Sequence, residues 1–334
     1  MRAVVLVGGF GTRLRPLTNS VPKPMLPVGH VPIIERLITN LARGGVTDVT
    51  LGIGFKPEPF LAAFPDGTCA GAQLTYAVEP EPLDTGGAIR FAALFAGIDS
   101  TFVVANGDVL TDLDVGALVD FHRRNGAEAT LHLTPVDDPS AFGVADCDEG
   151  GHVRRFVEKP PAGTAPSNYI NGGTYVFEPS VLEHIPDGRK VSIERETFPL
   201  LVADGRMWAM ATDDYWVDTG TPELFLSANL DSISQSRPEA SRSEAVATGA
   251  TVGVDVLFTE SVVSAGATVH DGASVSHSVL LDGANVGTGA SVRNSVVMGR
   301  IGAGAQVSNC VIGADGVVAD GETRADERIP APGA

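Results

Sequence analysis

A short stretch near the start of the chain combines glycines with cations. An apolar strand ends in a glycine pair, and a third glycine, two arginines and a lysine follow closely. Glycines let backbone N–H groups approach phosphate oxygens, and the cations place positive charge at the same turn. The stretch therefore predicts a cradle for nucleotide phosphates. Its residues are Gly8, Gly9, Gly11, Arg13, Arg15 and Lys23.

Other glycine-rich turns fit this stretch poorly. A dinucleotide loop needs a third glycine where this chain has Leu14, and an acidic residue after the second strand, where the chain has residues 52–55 without one. A P-loop needs Gly-Lys-Ser/Thr, which does not follow. A purely structural turn would not explain the arginines or the two prolines that flank Lys23.

The same stretch resembles a known signature. Residues 8–18 read Gly-Gly-Phe-Gly-Thr-Arg-Leu-Arg-Pro-Leu-Thr and residues 22–24 read Pro-Lys-Pro, which is similar to the motif of the sugar-1-phosphate nucleotidylyltransferases. The resemblance implies transfer of a nucleoside monophosphate from a triphosphate to a sugar 1-phosphate, with release of pyrophosphate. Such a reaction needs positioning and charge neutralisation rather than a covalent nucleophile. The implied catalytic cations are Arg13, Lys23 and Lys159.

Two aspartates are candidates for Mg²⁺, which takes one or two carboxylates and completes its shell with phosphate and water. Asp108 follows a strand and Asp218 lies in a Val-Asp-Thr-Gly turn. Either alone could be an ordinary turn residue, but together with the loop both match the family's metal pair. The resemblance assigns nucleotide binding to Leu6, Gly8, Gly9, Gly11, Thr12, Arg13, Lys23, Glu79, Gly86, Asn106, Gly107 and Asp108.

Further motifs resemble the sugar-phosphate side of the same family. In Phe-Val-Glu-Lys-Pro, Lys159 would hold the sugar phosphate and Glu158 the sugar hydroxyls, although a surface ion pair is the plainer alternative. Asn171 and Gly172 would bind the sugar phosphate, with Gly172 standing where the family usually has alanine. Gly143 would let the backbone approach the sugar.

The segment 79–87 resembles the nucleobase side of the mannose-1-phosphate guanylyltransferase branch, with Asp84 in place of a glycine, and residues 192–199 support that branch. The implied substrates are GTP, read by the Glu79 carboxylate, and mannose 1-phosphate. Glucose, heptose or valienol 1-phosphate stays open as the acceptor. A catalytically silent regulatory subunit that senses nucleotide sugars is another alternative.

Composition limits partners and compartment. The 334 residues include 41 acidic and 23 basic side chains, for a formal charge of −18, which argues against nucleic acid or an anionic membrane as a partner. Three scattered cysteines suggest neither disulfides nor zinc. The first strand follows Met1 and Arg2 at once. No apolar run in the sequence is long enough to span a membrane. We expect a cytoplasmic protein.

Strand and helix patterns alternate over the first part of the chain, which predicts an α/β domain: a Rossmann-like mixed, mostly parallel sheet of the nucleotidyltransferase type. A β-rich part follows from residue 129 to 177, and a helix is predicted over 222–233. The predicted organisation is a catalytic domain at 1–231, a linker at 232–244, a repeat domain at 245–325 and a flexible tail at 326–334.

Small residues dominate beyond residue 245, and an aliphatic residue recurs near every sixth position. Two blocks, starting at Gly266 and Gly283, repeat almost literally at an offset of 17 residues. Three hexads make one coil, so this pattern resembles the left-handed parallel β-helix of hexapeptide-repeat proteins, with about four coils. We expect it to support a homodimer or larger homo-oligomer. An acyltransferase site around His270 or His277 is the rival reading.

Overall fold

The structure is a computed structural model that describes residues 1–9, 11–54, 57–235 and 242–331. The strands before the repeat region are, in chain order, β1 (Arg2–Leu6), β2 (Pro27–Val28), β3 (Val31–Pro32), β4 (Asp48–Ile53), β5 (Thr68–Cys69), β6 (Ala72–Val78), β7 (Phe102–Asn106), β8 (Val109–Thr111), β9 (Ala129–Pro135), β10 (Gly143–Cys147), β11 (Val153–Glu158), β12 (Tyr169–Phe177), β13 (Met207–Ala211) and β14 (Trp216–Asp218). The α-helices are α1 (Ile33–Arg43), α2 (Glu58–Ala63), α3 (Asp84–Phe95), α4 (Val115–Asn125), α5 (Phe198–Ala203) and α6 (Pro222–Ile233).

The contacts within the chain define two units. Unit 1 consists of Met1–Gly9 and Ile34–Trp216, and unit 2 consists of Phe10–Ile33 and Val217–Ala334. This division differs from the predicted domains, because residues 10–33 and the predicted helix at 222–233 group with the repeat region rather than with the sheet. The predicted linker 232–244 overlaps the end of α6, and its residues 236–241 lie outside the described residues.

Unit 1 is built on a ten-stranded sheet. The main order of its strands is β11-β10-β12-β7-β1-β4-β6-β5, and β9 pairs with both β12 and β13. Strands β7, β1, β4 and β6 are parallel neighbours, whereas β12 runs antiparallel to β7. The sheet is therefore mixed, with a parallel centre followed by antiparallel strands, as the alternating pattern predicts.

The central strand β1 has buried residues at Ala3, Val4 and Val5, as expected for a parallel strand covered on both faces.

The bounds of helix α4 are set by a cap at each end. The Asp114 side chain accepts a hydrogen bond from the Ala117 N–H at the N-terminus, and Gly126 ends the helix with φ +56°. Both are standard helix caps. No helix in the described ranges is long and apolar enough to cross a membrane.

Strand β12 carries an irregularity that matters for the site. Its pairing with β9 shifts register between Asn171 and Tyr175. Below the shift, Tyr175 stacks on Phe177 with ring centroids 5.5 Å apart, and both pack against Phe198. An insertion of this kind redirects a side chain out of the regular alternation. The aromatic cluster fixes the position of β12, and the bulge that precedes it in the chain changes the direction of the Asn171 side chain.

Unit 2 contains the repeat region, which is a parallel β-helix with three five-stranded faces. Its strands are β15 (Thr251–Val252), β16 (Leu257–Thr259), β17 (Val262–Val263), β18 (Thr268–Val269), β19 (Ser274–Ser276), β20 (Val279–Leu280), β21 (Asn285–Val286), β22 (Ser291–Arg293), β23 (Val296–Val297), β24 (Arg300–Ile301), β25 (Gln306–Ser308), β26 (Val311–Ile312), β27 (Val317–Val318), β28 (Thr323–Ala325) and β29 (Arg328–Ile329).

The β-helix has five coils where the sequence predicts about four. Pairing of Thr268 with Asn285 keeps the offset of 17 residues, but Asn285 pairs with Arg300 after a shorter coil. The shortened coil interrupts the sequence repeat and hides the continuation from a periodicity search. The last strand, β29, lies inside the segment 326–334 that was predicted to be a flexible tail. Residues 332–334 of that segment lie outside the described residues.

A ladder of buried hydroxyl groups runs through one edge of the coils. The Ser278 N–H donates to Ser261 Oγ at 3.2 Å, the Ser295 N–H to Ser278 Oγ at 3.1 Å, and the Cys310 N–H to Ser295 Oγ at 3.0 Å. Each of these hydroxyls also donates to a carbonyl two residues earlier. The ladder therefore satisfies these three buried N–H groups.

A second ladder consists of corner residues with positive φ. Glu260, His277, Asn294, Asn309 and Asp326 occupy equivalent corners with φ between 41° and 59°. Asn294 Nδ2 donates to Asn309 Oδ1 at 2.8 Å, and His277 Nε2 lies 3.0 Å from Glu260 Oε2. His277 is thus a corner residue paired with its neighbour in the preceding coil, and both it and His270 are exposed.

One buried histidine in unit 1 makes stability depend on pH. His132 on β9 is fully buried, its Nε2 lies 2.8 Å from Thr212 Oγ1, and its Nδ1 has no hydrogen-bond partner among the residues that the structure describes. Burial disfavours the imidazolium and lowers the pKa of His132 to about 4. The unfolded chain binds this proton at an ordinary pKa of about 6.5.

We expect protonation of the unfolded chain to destabilise the protein as pH falls from 6.5 to 4. The contribution of His132 to this loss is about 3 kcal/mol, because the pKa is lower in the folded state than in the unfolded state. Denaturant unfolding at pH 7 and pH 4 of wild type and His132→Gln measures it. The gap between the two proteins should change by roughly that amount; a gap that is the same at both pH values contradicts the prediction.

Candidate functional site

In unit 2, one aspartate joins two of the predicted cations. Lys23 Nζ lies 3.1 Å from Asp218 Oδ1, and Arg13 Nη2 lies 3.9 Å from Asp218 Oδ2. The Lys23 side chain is only 6% exposed, whereas that of Arg13 is 66% exposed. A buried ammonium group needs such a partner, because its desolvation is costly. The pair holds Lys23 in place and leaves the Arg13 guanidinium open to a ligand.

The loop of residues 11–18, called loop 11–18 below, is shaped by its own contacts. Gly11 has φ +58°, and a Cβ there would lie 2.9 Å from Thr18 Cγ2. Thr18 Oγ1 donates to the Gly11 carbonyl at 2.8 Å, and Thr12 opens a 3-10 turn that ends at Leu14. Both Leu14 and Leu17 are fully buried. Buried leucines thus hold the loop from below, while Arg13 faces outwards.

The second predicted metal ligand belongs to unit 1. The Gly107 N–H donates to the Leu6 carbonyl at 2.8 Å, and a Cβ on Gly107 would lie 2.7 Å from that oxygen. Only glycine therefore allows the chain to turn away from β7 at this point. Asp108 follows at the carboxyl end of a parallel strand, which is the edge where open α/β sheets bind ligands. Asn106, Gly107 and Leu6 are brought together here.

Glu79, the predicted base reader, is buried at the end of β6. Its Oε2 accepts a hydrogen bond from the Leu83 N–H at 3.0 Å, and its Oε1 would lie 3.4 Å from a Cβ on Gly8. Burial raises the pKa of Glu79, and the bond from Leu83 opposes that rise. Glu79 therefore closes the loop 79–83 with one oxygen and directs the other towards the glycine pair.

The loop that continues from Glu79 explains one departure from the family motif. Asp84 has φ +62°, a backbone conformation that favours glycine, and its Oδ1 accepts from the Thr85 N–H at 2.8 Å. Aspartate tolerates this conformation better than most residues do. Gly86 donates its N–H to the Val191 carbonyl at 2.8 Å, and a Cβ on Gly86 would lie 3.0 Å from that oxygen. Gly86 thus packs the start of α3 against residue 191.

On the predicted sugar side, Glu158 and Lys159 end β11. Lys159 Nζ lies 3.8 Å from Glu158 Oε1, and the lysine side chain is 58% exposed. Burial raises the pKa of Glu158, and the nearby Glu194 carboxylate raises it further. A Cβ on Gly143 would lie 2.9 Å from Glu158 Oε2. Gly143 therefore makes room for the Phe156 ring as well as for the Glu158 carboxylate.

Asn171 is held at the bulge of β12 by polar contacts. Its Nδ2 donates to the Tyr175 hydroxyl at 2.8 Å, and its Oδ1 accepts from the Gly173 N–H at 3.0 Å. Trp216 Nε1 donates to the Gly172 carbonyl at 2.9 Å, and the Trp216 ring meets Phe142 edge to face at 5.8 Å. Unit 1 thus joins the Asn171 and Phe142 segments through an aromatic pair that the sequence motifs do not reveal.

The glycine that replaces alanine in the Asn171 motif has a neighbour that explains it. A Cβ on Gly172 would overlap His132 Nδ1 and lie 3.2 Å from the His132 carbonyl oxygen. His132 is immobilised because it is fully buried and contacts Thr212. The imidazole of His132 therefore occupies the space that a side chain at residue 172 would need. No residue of the Asn171 motif itself indicates this.

The carboxylates available to a cation are dispersed. Within the described ranges, no group of three or more His, Cys, Asp or Glu residues forms a metal cage. A magnesium ion that binds with substrate needs only one or two carboxylates, since phosphate and water fill the other positions. Asp108 and Asp218 fit this donor chemistry, each within its own unit.

Comparison with known proteins agrees with this assembly of motifs. A model of the nucleotidyl transferase family matches residues 2–235, and one of the GlmU-like C-terminal hexapeptide family matches residues 243–324. Since the first match spans well over half of the chain, the protein belongs to the nucleotidyl transferase family. Members of this family generally use a divalent metal.

The names of individual relatives are more specific than the description of the family model. Mannose-1-phosphate guanylyltransferase of Mycobacterium tuberculosis is 48% identical over 233 residues, which cover 69% of this chain and 64% of that protein. Mannose-1-phosphate guanyltransferase of Yarrowia lipolytica is 40% identical over 263 residues, 76% of this chain and 72% of the relative. The crystal structure of HddC from Yersinia pseudotuberculosis complexed with GMP-PN covers 69% of this chain and 98% of its own, with 30% identity and a TM-score of 0.59.

The matched pair of His132 and Gly172 can be tested by a double-mutant cycle. We expect Gly172→Ala to destabilise the protein by about 1–3 kcal/mol, because the new methyl group overpacks against the imidazole. In a His132→Ala background the same substitution should cost much less, since the space is then free. Chemical denaturation of the four proteins measures the coupling; additive effects would show that the two residues do not share this space.

Proposed function

We propose that the protein transfers GMP from GTP to mannose 1-phosphate, giving GDP-mannose and pyrophosphate. The observation that carries the proposal is the cluster of Lys23, Asp218 and the exposed Arg13, in which both cations belong to the family motif of residues 8–18 and 22–24. The names of the relatives from Mycobacterium tuberculosis and Yarrowia lipolytica support both substrates. Intact cationic residues also favour an enzyme over a silent regulatory subunit.

The reaction we infer is an in-line displacement. A phosphate oxygen of the sugar 1-phosphate forms a bond to the α-phosphorus of GTP, and the bond from that phosphorus to the bridging oxygen of pyrophosphate breaks. The attacking phosphate is largely ionised near neutral pH, with a second pKa of about 6, so it needs no base. Arg13 would bind the triphosphate and stabilise the charge that develops, and Lys159 would bind the sugar phosphate.

We assign Mg²⁺ to the carboxylates of Asp108 and Asp218. When bound, the ion would neutralise charge on the reacting phosphates. The donor chemistry and the position of Asp108 at the end of a parallel strand support the assignment. Lys23 holds the Asp218 carboxylate through their 3.1 Å contact, so it would orient this ligand and contribute positive charge beside it.

We propose that Glu79 selects guanine among the nucleobases. Guanine presents adjacent N1–H and N2–H donors that a carboxylate can accept together, whereas uracil and thymine present one donor between two carbonyls. Since Oε2 already accepts from Leu83, its second lone pair and Oε1 would receive the base. The GMP-PN complex of HddC is a further support.

For the acceptor, we propose that Asn171 and Glu158 bind mannose hydroxyl groups. Their fixed positions, on the β12 bulge and beside Gly143, support this role. We further propose that the β-helix mediates a homodimer or a larger homo-oligomer and that the protein is cytoplasmic. The pairing of His277 with Glu260 favours a structural role for this histidine over acyl transfer.

The metal assignment yields one prediction. Asp108→Asn and Asp218→Asn should each lower turnover by about a hundredfold or more at saturating Mg²⁺, because a neutral amide is a poor ligand for a hard cation. Pyrophosphate release from GTP and mannose 1-phosphate measures turnover, and circular dichroism checks the fold. As a control, Asp137→Asn changes an aspartate outside the predicted motifs. Near-normal turnover in either ligand variant removes that residue from the metal site.

A second prediction concerns the triphosphate. Wild type should prefer GTP over UTP and dTTP by at least about tenfold in kcat/KM, in line with matched base contacts of roughly 1–3 kcal/mol. Glu79→Gln should erode this preference. The assay measures GTP, UTP and dTTP with each of mannose, glucose and heptose 1-phosphates, so it also tests the acceptor. If the variant slows all triphosphates equally, Glu79 only closes the loop at Leu83. If mannose 1-phosphate is not the best acceptor, the proposed acceptor is wrong.

A further inference from the structure

A residue of the β-helix reaches loop 11–18. Arg328 lies on β29, in the last coil, and its register is set by parallel pairing with Val311. Its Nη1 donates to the Arg13 carbonyl at 2.8 Å and to the Arg15 carbonyl at 3.3 Å. These are contacts within unit 2, between residues more than 300 positions apart in sequence.

The neighbouring coil contacts the same loop. Gly313 follows β26 and donates its N–H to the Ile329 carbonyl at 2.8 Å, so it lies beside the residue that follows Arg328. A Cβ on Gly313 would lie 2.8 Å from Pro16 Cβ and 3.1 Å from the Pro16 carbonyl oxygen. The last two coils therefore contact residues 13, 15 and 16 of the loop through a guanidinium group and through a close backbone approach.

The loop uses its other hydrogen bonds internally. The Leu14 N–H donates to the Gly11 carbonyl at 3.0 Å, and the Arg15 N–H donates to the Thr12 carbonyl at 3.3 Å. These bonds define the 3-10 turn but leave the orientation of the turn as a whole to outside contacts. Arg328 supplies such a contact, because one guanidinium bonded to two carbonyls restrains the turn in two places.

We propose that Arg328 is a positioning residue for triphosphate binding, and that the end of the β-helix thereby belongs to the machinery of nucleotidyl transfer. The inference rests on the proposed function, since it concerns the loop that would bind GTP. Arg328 holds the backbone on both sides of Leu14 and so fixes the direction of the Arg13 side chain. Its positive charge also offsets the partial negative charge of two carbonyls close to an anionic ligand.

The kinetic test compares Arg328→Ala with Arg328→Lys and with Arg300→Ala, a control at an exposed arginine on β24 of the same β-helix. We expect Arg328→Ala to lower kcat/KM for GTP about tenfold or more, the scale of a lost hydrogen bond from a charged donor. The KM for mannose 1-phosphate and the melting temperature should stay near the wild-type values. Lysine should restore part of the loss, and Arg300→Ala should have no effect.

A second measurement does not depend on turnover. Amide hydrogen exchange of the substrate-free protein reports on the Leu14 and Arg15 N–H groups directly. Arg328→Ala should exchange faster in residues 11–18 and unchanged in residues 268–301, whereas Arg300→Ala should match wild type in both. This result holds even if GTP or mannose 1-phosphate proves not to be a substrate, so failure of the proposed function is distinguishable from failure of this inference.

Two outcomes overturn the proposal. Unchanged exchange in residues 11–18 of Arg328→Ala would show that the guanidinium does not restrain the loop. An equal loss for both substrates, accompanied by a lower melting temperature, would show that Arg328 only stabilises the last coil. Faster loop exchange together with a loss confined to GTP is the expected result.

Discussion

The contact between the Lys23 ammonium and the Asp218 carboxylate is the interaction on which unit 2 depends. It joins residues 195 positions apart in sequence and sets a buried positive charge against a carboxylate that is 20% exposed. Removal of the Asp218 carboxylate would take a charge partner away from a buried ammonium group, which costs more than loss of the contact alone. The same carboxylate lies 3.9 Å from Arg13 Nη2, so one aspartate holds two cations together within unit 2.

Motif residues were predictable where a backbone requirement selects the residue type. Residue 107 must be glycine because a Cβ would clash with the Leu6 carbonyl, and residue 11 favours glycine because its φ is positive. The glycine positions of the motifs can therefore be recognised from the sequence. Helix α6 coincides with its predicted bounds because Pro222 at its start and the Thr221 cap are local signals. The apolar pattern alone predicts a helix at 88–95, but α3 begins at Asp84, since the backbone bond from Gly86 to Val191 compensates for poor helix formers.

Other features depend on partners that are distant in sequence and were not predictable. His132 explains why residue 172 lacks a side chain, but it lies on a different strand and carries no motif. The bond from Glu79 to Leu83 requires the fold of a whole loop. The sequence predicts a flexible tail at Arg328, because a segment rich in small and polar residues resembles disorder unless the preceding coils pair with it. The sequence therefore predicts the residues of the proposed chemistry more readily than the residues that hold them in position.

The serine ladder of the β-helix has a consequence for how such a protein can change over evolution. The Ser278 and Ser295 N–H groups are each bonded to a serine hydroxyl of the coil before, and each of these two serines offers an equivalent hydroxyl to the coil after. Duplication or loss of one of these two coils in frame would thus leave the N–H groups of the ladder satisfied. The length of the β-helix can vary among descendants without redesign of its interior, provided that the terminal coil keeps the surface that meets the loop.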